Sequence, residues 1–189
     1  MRHGPLPLTF EDRTAHISNT DFDDMYDRLF FHVVRQPGRA TTKIYQMSVR
    51  ASRHRSTLPI PGEALIHLDF GADESLGTIS FFKSPLHGSI PMSRYLKKTG
   101  FFASSLSRKF MGSDGREYKW GYRLVPGQEW TCTTMDNCSI VAHYDLKPPN
   151  VRIFDTSGNN LIIYEAFTDM IPEIIASFII MRHIAQFNL

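Results

Sequence analysis

The chain has 189 residues, a formal net charge of +2, 42% apolar and 12% aromatic residues, and 14 phenylalanines. That is enough apolar material for one substantial core, which excludes a disordered chain, and so balanced a charge argues against a nucleic-acid binder that is basic throughout. Placement is less even than the total. Glu11, Asp12, Asp21, Asp23, Asp24 and Asp27 fall together, whereas Arg94, Lys97, Lys98, Arg108, Lys109, Arg116, Lys119 and Arg123 face only Asp114 and Glu117 across the middle of the chain.

In chain order, the first residues carry a charge but no apolar stretch after it, because Thr9, Glu11, Asp12 and Arg13 intervene, so no signal peptide is expected. Runs rich in β-branched and aromatic residues then recur between turn signals: Arg28–Arg35, Thr41–Val49, Ala64–Phe70, Leu76–Lys83 and Ser89–Leu96. Further runs follow at Ser107–Met111, Glu117–Leu124, Glu129–Thr134, Ile140–Asp145, Val151–Asp155 and Leu161–Ala166. With a first strand near Leu6–Phe10, this rhythm predicts about a dozen strands in a sandwich or barrel. Ser52–Gly62 and Pro148–Pro149 read as loops inside one domain spanning residues 1–189, because composition does not change across them.

The clearest reversal is Phe110-Met111-Gly112-Ser113-Asp114-Gly115-Arg116-Glu117-Tyr118, where Asp-Gly supplies the positive φ that a tight hairpin needs. On the outgoing strand Tyr118, Trp120, Tyr122 and Leu124 alternate with Glu117, Lys119, Gly121 and Arg123, which predicts one aromatic face and one mainly charged face. Cys132 and Cys138 flank a further reversal at Met135-Asp136-Asn137. They read either as two small buried hydrophobes or as a pair facing each other across a hairpin. Two cysteines make no secreted disulfide framework, so an intracellular, cytoplasmic chain is expected, peripheral at membranes if it meets them at all.

The last segment changes character. Asp169 reads as an N-cap, Pro172 suits a first turn and Glu173 complements the helix dipole, so a helix is predicted over about residues 169–186. Ile171, Ile174, Ile175, Phe178, Ile179, Ile180 and Met181 cover every side of it, with Ser177 the one polar residue between Glu173 and Arg182. The uninterrupted apolar run from Ile174 to Met181 is far shorter than the roughly 20 residues of a membrane span, so burial in the core is expected and no transmembrane segment.

The hairpin Phe110–Trp120, the run Val141-Ala142-His143-Tyr144 and the apolar helix ending in Met181-Arg182-His183 together resemble a family of small domains of unknown function from mushroom-forming fungi. That family is similar to the tubby C-terminal, LURP-one and phospholipid-scramblase-like superfamily, and the N-terminal half fits it by strand rhythm and by Thr41-Thr42-Lys43-Ile44. The resemblance implies a mainly β fold, a closed antiparallel barrel of about twelve strands around the hydrophobic C-terminal helix. It implies no established chemistry.

Chemical motifs are sparse. The eight histidines fall at no metal-ligand spacing, there is no cysteine pair two residues apart, and neither a nucleophile elbow nor a glycine-rich phosphate loop occurs. No metal or cofactor is therefore expected, and His67, His143 and His183 read as structural. If the helix fills the barrel, the interior cannot also hold a large ligand, and function moves to the outside. The reading is a binding module, more than an enzyme, that docks on anionic phospholipid headgroups or a protein partner through Lys97, Lys98, Arg108, Lys109, Arg116, Lys119 and Arg123. The alternative is an enzyme or small-ligand carrier with a pocket at one barrel mouth, using Tyr118, Trp120, His143 and Tyr144.

Overall fold

The computed structural model describes residues 6–36, 38–50, 62–83, 87–100, 106–145 and 159–189. The expected strand at 151–155 and the loops at 52–61 and 148–149 lie outside these residues. Strands β1 (Leu8–Asp12), β2 (Asn19–Asp24), β3 (Phe30–Arg35), β4 (Thr41–Met47), β5 (Ile66–Asp69), β6 (Thr78–Phe81) and β7 (Gly88–Pro91) lead to one helical turn, α1 (Met92–Tyr95). Then come β8 (Lys97–Lys98), β9 (Arg108–Met111), β10 (Glu117–Tyr122), β11 (Gln128–Thr134), β12 (Ile140–Asp145) and β13 (Asn159–Ile163). A 3-10 segment, Glu165–Met170, runs into α2 (Ile171–Phe187).

The strands form one antiparallel sheet in the order β7-β6-β5-β4-β3-β2-β1-β13-β12-β11-β10-β9-β8. Neighbours in the sheet are neighbours in sequence except at its middle, where β1 lies against β13 and Phe10 faces Leu161. The predicted hairpin is present: Met111 faces Glu117, Gly115 has φ +80°, and the Gly112 amide donates to the Arg116 carbonyl at 2.9 Å.

The sheet is not closed, which corrects the expectation of a barrel of about twelve strands. Among the described residues its edges, β7 and β8, share no ladder, and the chain between them runs through α1, whose Tyr95 packs on Phe81 of β6 and Phe110 of β9. The stretch read as one strand, Ser89–Leu96, breaks because Pro91 has no N–H to donate and because Met92, Tyr95 and Leu96 bury their side chains at helical spacing. β2 went unpredicted because Asp21, Asp23 and Asp24 disguise it, although Phe22 between them is fully buried.

The sheet curls around α2, whose residues Ile174 to Met181 are all buried. Phe178 shows the enclosure: its ring lies 6.4 Å from Phe22 on β2, 5.6 Å from Trp120 on β10 and 4.7 Å from Tyr144 on β12, so one side chain touches both halves of the sheet. The segment Glu165–Phe187 is long and apolar enough to cross a membrane by composition, yet 72% of its apolar 18-residue stretch is buried inside the fold, as a core helix would be.

Polar contacts set the helix's position. Trp120 Nε1 donates to Ser177 Oγ at 2.9 Å, and the Ser113 amide donates to Glu173 Oε2 at 3.0 Å. Asp12, buried on β1, accepts from Tyr144 Oη at 2.7 Å and from Arg182 Nη1 at 3.1 Å. The predicted start is corrected: the N-cap is Met170, with no side-chain cap bond, because the 3-10 segment containing Asp169 feeds straight into the helix.

Candidate functional site

The basic residues expected on one surface divide by strand geometry. Lys97 on β8 faces Lys109 on β9, and Lys109 faces Lys119 on β10. Directly opposed residues of an antiparallel sheet share a face, so these three lysines form a row across three strands, with neighbours roughly 5 Å apart. The row lies on the outer face, since Phe110, Tyr118 and Trp120, which alternate with it, are buried.

Lys109 is tied to Glu117 at 2.9 Å, whereas Lys97 and Lys119 have no ion partner among the described residues. Like charges placed directly opposite destabilise a sheet. The row is therefore an electrostatic cost that an anion would relieve.

The other four cations do not join it. Lys98 and Arg108 pair with each other one residue along, which puts them on the opposite face. Arg108 is a correction: it is buried, its Nη2 donates to the Leu189 carbonyl at 2.9 Å, and burial holds its pKa below the usual arginine value. Arg116 lies in the β9–β10 turn with Asp114 at 3.8 Å, and Arg123, at the far end of β10, stacks on Tyr122 at 5.0 Å.

Beside the row is a cavity of about 230 Å³ at the seam between the sheet's two edges. Ile90 on β7, Tyr95 on α1 and Phe110 and Met111 on β9 give it apolar walls. Arg94, Lys97, Lys109, Gly112 and Glu117 complete its lining. Arg94 and Lys97 are exposed, and Arg94 has no ion partner among the described residues. Tyr95 is buried with its hydroxyl unpaired among the described residues, and burial pushes its pKa well up. Sequence reading missed Ile90, Arg94 and Tyr95 as site residues. The available signal was the helical spacing of Met92, Tyr95 and Leu96 directly after Pro91.

The alternative pocket residues are not brought to a mouth. Tyr118, Trp120 and Tyr144 are fully buried, with polar atoms committed to Asp114, Ser177 and Asp12 respectively. His143 is buried on β12, 3.4 Å from Asp145, with its ring 5.8 Å from that of Tyr164. Burial lowers its pKa, with Asp145 opposing. His183 lies in the core as well, where Nε2 donates to the Glu74 carbonyl at 2.7 Å and the ring stacks on Phe70 at 3.8 Å.

The N-terminal acids are equally committed. Asp24 meets Arg28 at 2.7 Å, Asp27 meets Arg50 at 2.7 Å, Asp23 meets Arg13 at 3.4 Å and Asp21 meets His32 at 2.7 Å. Burial opposes ionisation of Asp24, but bonds from Arg28 and the Thr9 amide outweigh it and hold the carboxyl below its usual range. Both cysteines are free: Cys132 is buried opposite Ala142, while Cys138 is exposed in a turn with φ +56°, so the two neither pair nor share the core. No group of three or more metal-ligating side chains occurs among the described residues.

A protein-family profile matches residues 15–186. The chain belongs to the family of unknown function DUF6593. The DUF6593 match takes in the lysine row, the seam cavity and nearly all of α2, and leaves β1 outside although β1 fills the place between β2 and β13. No curated protein and no solved structure matches the DUF6593 chain.

Proposed function

We propose that the protein is a binding module that docks peripherally on anionic phospholipid headgroups through the row Lys97, Lys109 and Lys119. The observation that carries the reading is the register: three lysines opposed on three neighbouring strands, two of them without an ion partner among the described residues. Such a row raises the energy of the free protein and would be neutralised by a layer of headgroup phosphates, each lysine contributing about 1 kcal/mol near the charged surface.

Co-sedimentation with phosphatidylcholine vesicles, with and without a phosphoinositide, tests this. Binding is expected only with the anionic lipid at low salt, fading near 0.15 M salt, where the screening length falls to about 8 Å. Lys119→Glu should weaken it several-fold while leaving thermal stability unchanged or raised, because the substitution replaces a like pair opposite Lys109 with an opposite pair. Equal binding to neutral vesicles, or undiminished binding by Lys97→Glu with Lys119→Glu, would overturn the proposal.

A further inference from the structure

The seam exists because the chain leaves the sheet between its two edges. β8 covers only Arg108 and Lys109 of β9, so the edge beyond them, at Phe110 and Met111, has no strand beside it among the described residues. The Gly112 amide bonds β10 at the Arg116 carbonyl, and the Thr99 amide bonds the Ser107 carbonyl across β8–β9. Ladder bonds alternate in direction along an antiparallel strand, so both observations turn the Met111 N–H and C=O away from β10 and toward the seam. An amide donor, apolar walls and cations therefore converge on one cavity.

We infer that this cavity is a ligand site for a small anionic amphiphile: the apolar tail enters between Ile90, Tyr95, Phe110 and Met111, and the anionic head rests on Arg94, Lys97 and Lys109. Its volume of about 230 Å³ sets the tail's size. A cavity of about 150 Å³ accepts a benzene, and at roughly 30 Å³ for each water-sized group this one takes about eight carbons. Glu117 does not cancel the site's charge, because three cations line the cavity against that single acid and Glu117 is already engaged by Lys109. The inference rests on the proposed anion-binding role of the lysine row and adds what that reading lacks, a place for the apolar part of the ligand. The head and tail belong equally to a free alkyl phosphate and to a short-chain lysolipid drawn from a membrane.

Titration calorimetry of the full chain with octyl phosphate below its micelle concentration, with octanol and with inorganic phosphate reads the free ligand. Saturable one-to-one binding of octyl phosphate is expected, at least about tenfold tighter than either fragment, since each buried methylene strengthens binding several-fold. Ile90→Trp, at a half-buried edge position, should fill the cavity and abolish that binding while leaving vesicle binding in place. Lys97→Ala, at an exposed position, should weaken both. Lys119→Glu should weaken vesicle binding alone, because Lys119 does not line the cavity. A short-chain lysophosphatidic acid that competes with octyl phosphate, and is lost with Ile90→Trp, marks the lipid as source. Absence of that competition marks the free alkyl phosphate. Either upholds the site. Octanol binding as tightly as octyl phosphate, no binding of octyl phosphate, or Ile90→Trp binding unchanged overturns the inference even if vesicles still bind. Octyl phosphate binding without any vesicle binding upholds the cavity and overturns the membrane reading alone.

Discussion

Asp12 and Arg182 lie 170 residues apart in sequence and meet at 3.1 Å in the core, where Asp12 has no exposure at all. Neither residue announces the other. Asp12 read as one of several N-terminal acids, and Arg182 as the basic end of an apolar helix. Removing one partner of a buried pair leaves a charge with nowhere to go, so Arg182→Met should lower the free energy of unfolding by about 3–5 kcal/mol in urea titration. Adding Asp12→Asn should recover part of that loss, since the amide still accepts from Tyr144 and carries no charge. Ser177 follows the same logic on a smaller scale. The sequence marks it as the one polar residue in an apolar stretch, but its partner, the Trp120 N–H, is visible only in the structure. Ser177→Ala should cost about 1–3 kcal/mol, because an indole donor is left buried and unpaired.

Elements were legible where local pattern and global fold agree. The β9–β10 hairpin needed only Asp-Gly between alternating strands, and α2 needed only its length and all-round apolarity. They were illegible where a long-range partner decides. β2 is held by β1 and β3 despite its aspartates, and the Ser89–Leu96 run divides into β7 and α1 because the chain leaves β7, paired with β6 at one edge of the sheet, to reach β8, paired with β9 at the other. The lysine row shows the same boundary within one site: the basic composition was visible, while the register that selects Lys97, Lys109 and Lys119 and rejects Lys98 and Arg108 was not. Because the sheet is open at β7 and β8, its curvature depends on what it wraps. Ending the chain before Asp169 removes α2, whose Phe178 links β2, β10 and β12. That truncated chain should lose its cooperative thermal transition and bind a hydrophobic dye, as read by circular dichroism and dye fluorescence.

At the scale of the whole molecule, buried titratable groups set opposing slopes of stability against pH. Burial lowers the pKa of His67, His143 and His183 below 6.5, so the unfolded chain takes up protons there before the native one does. Their contribution is present above 6.5 and is lost as pH falls from that value through the folded ones. Glu173 acts in the opposite sense. Burial raises its pKa above 4.5, the Ser113 bonds oppose that shift and Asp114 adds to it, so the native chain holds the proton that the unfolded one gives up. Its contribution is full below 4.5 and is lost as pH rises through the folded value. Between 4.5 and 6.5 the two slopes oppose each other, and the histidines outnumber the single carboxyl, so melting temperature should rise across that window. Glu173→Gln keeps an oxygen to accept from the Ser113 amide but cannot ionise. Its melting temperature should match the parent's near pH 4, exceed it by a margin that widens as pH rises, and level off once Glu173 of the parent is fully ionised. A margin that is constant from pH 4 to pH 8 would show that Glu173 titrates alike in the folded and unfolded chain, and that the acid-side slope belongs to the histidines alone.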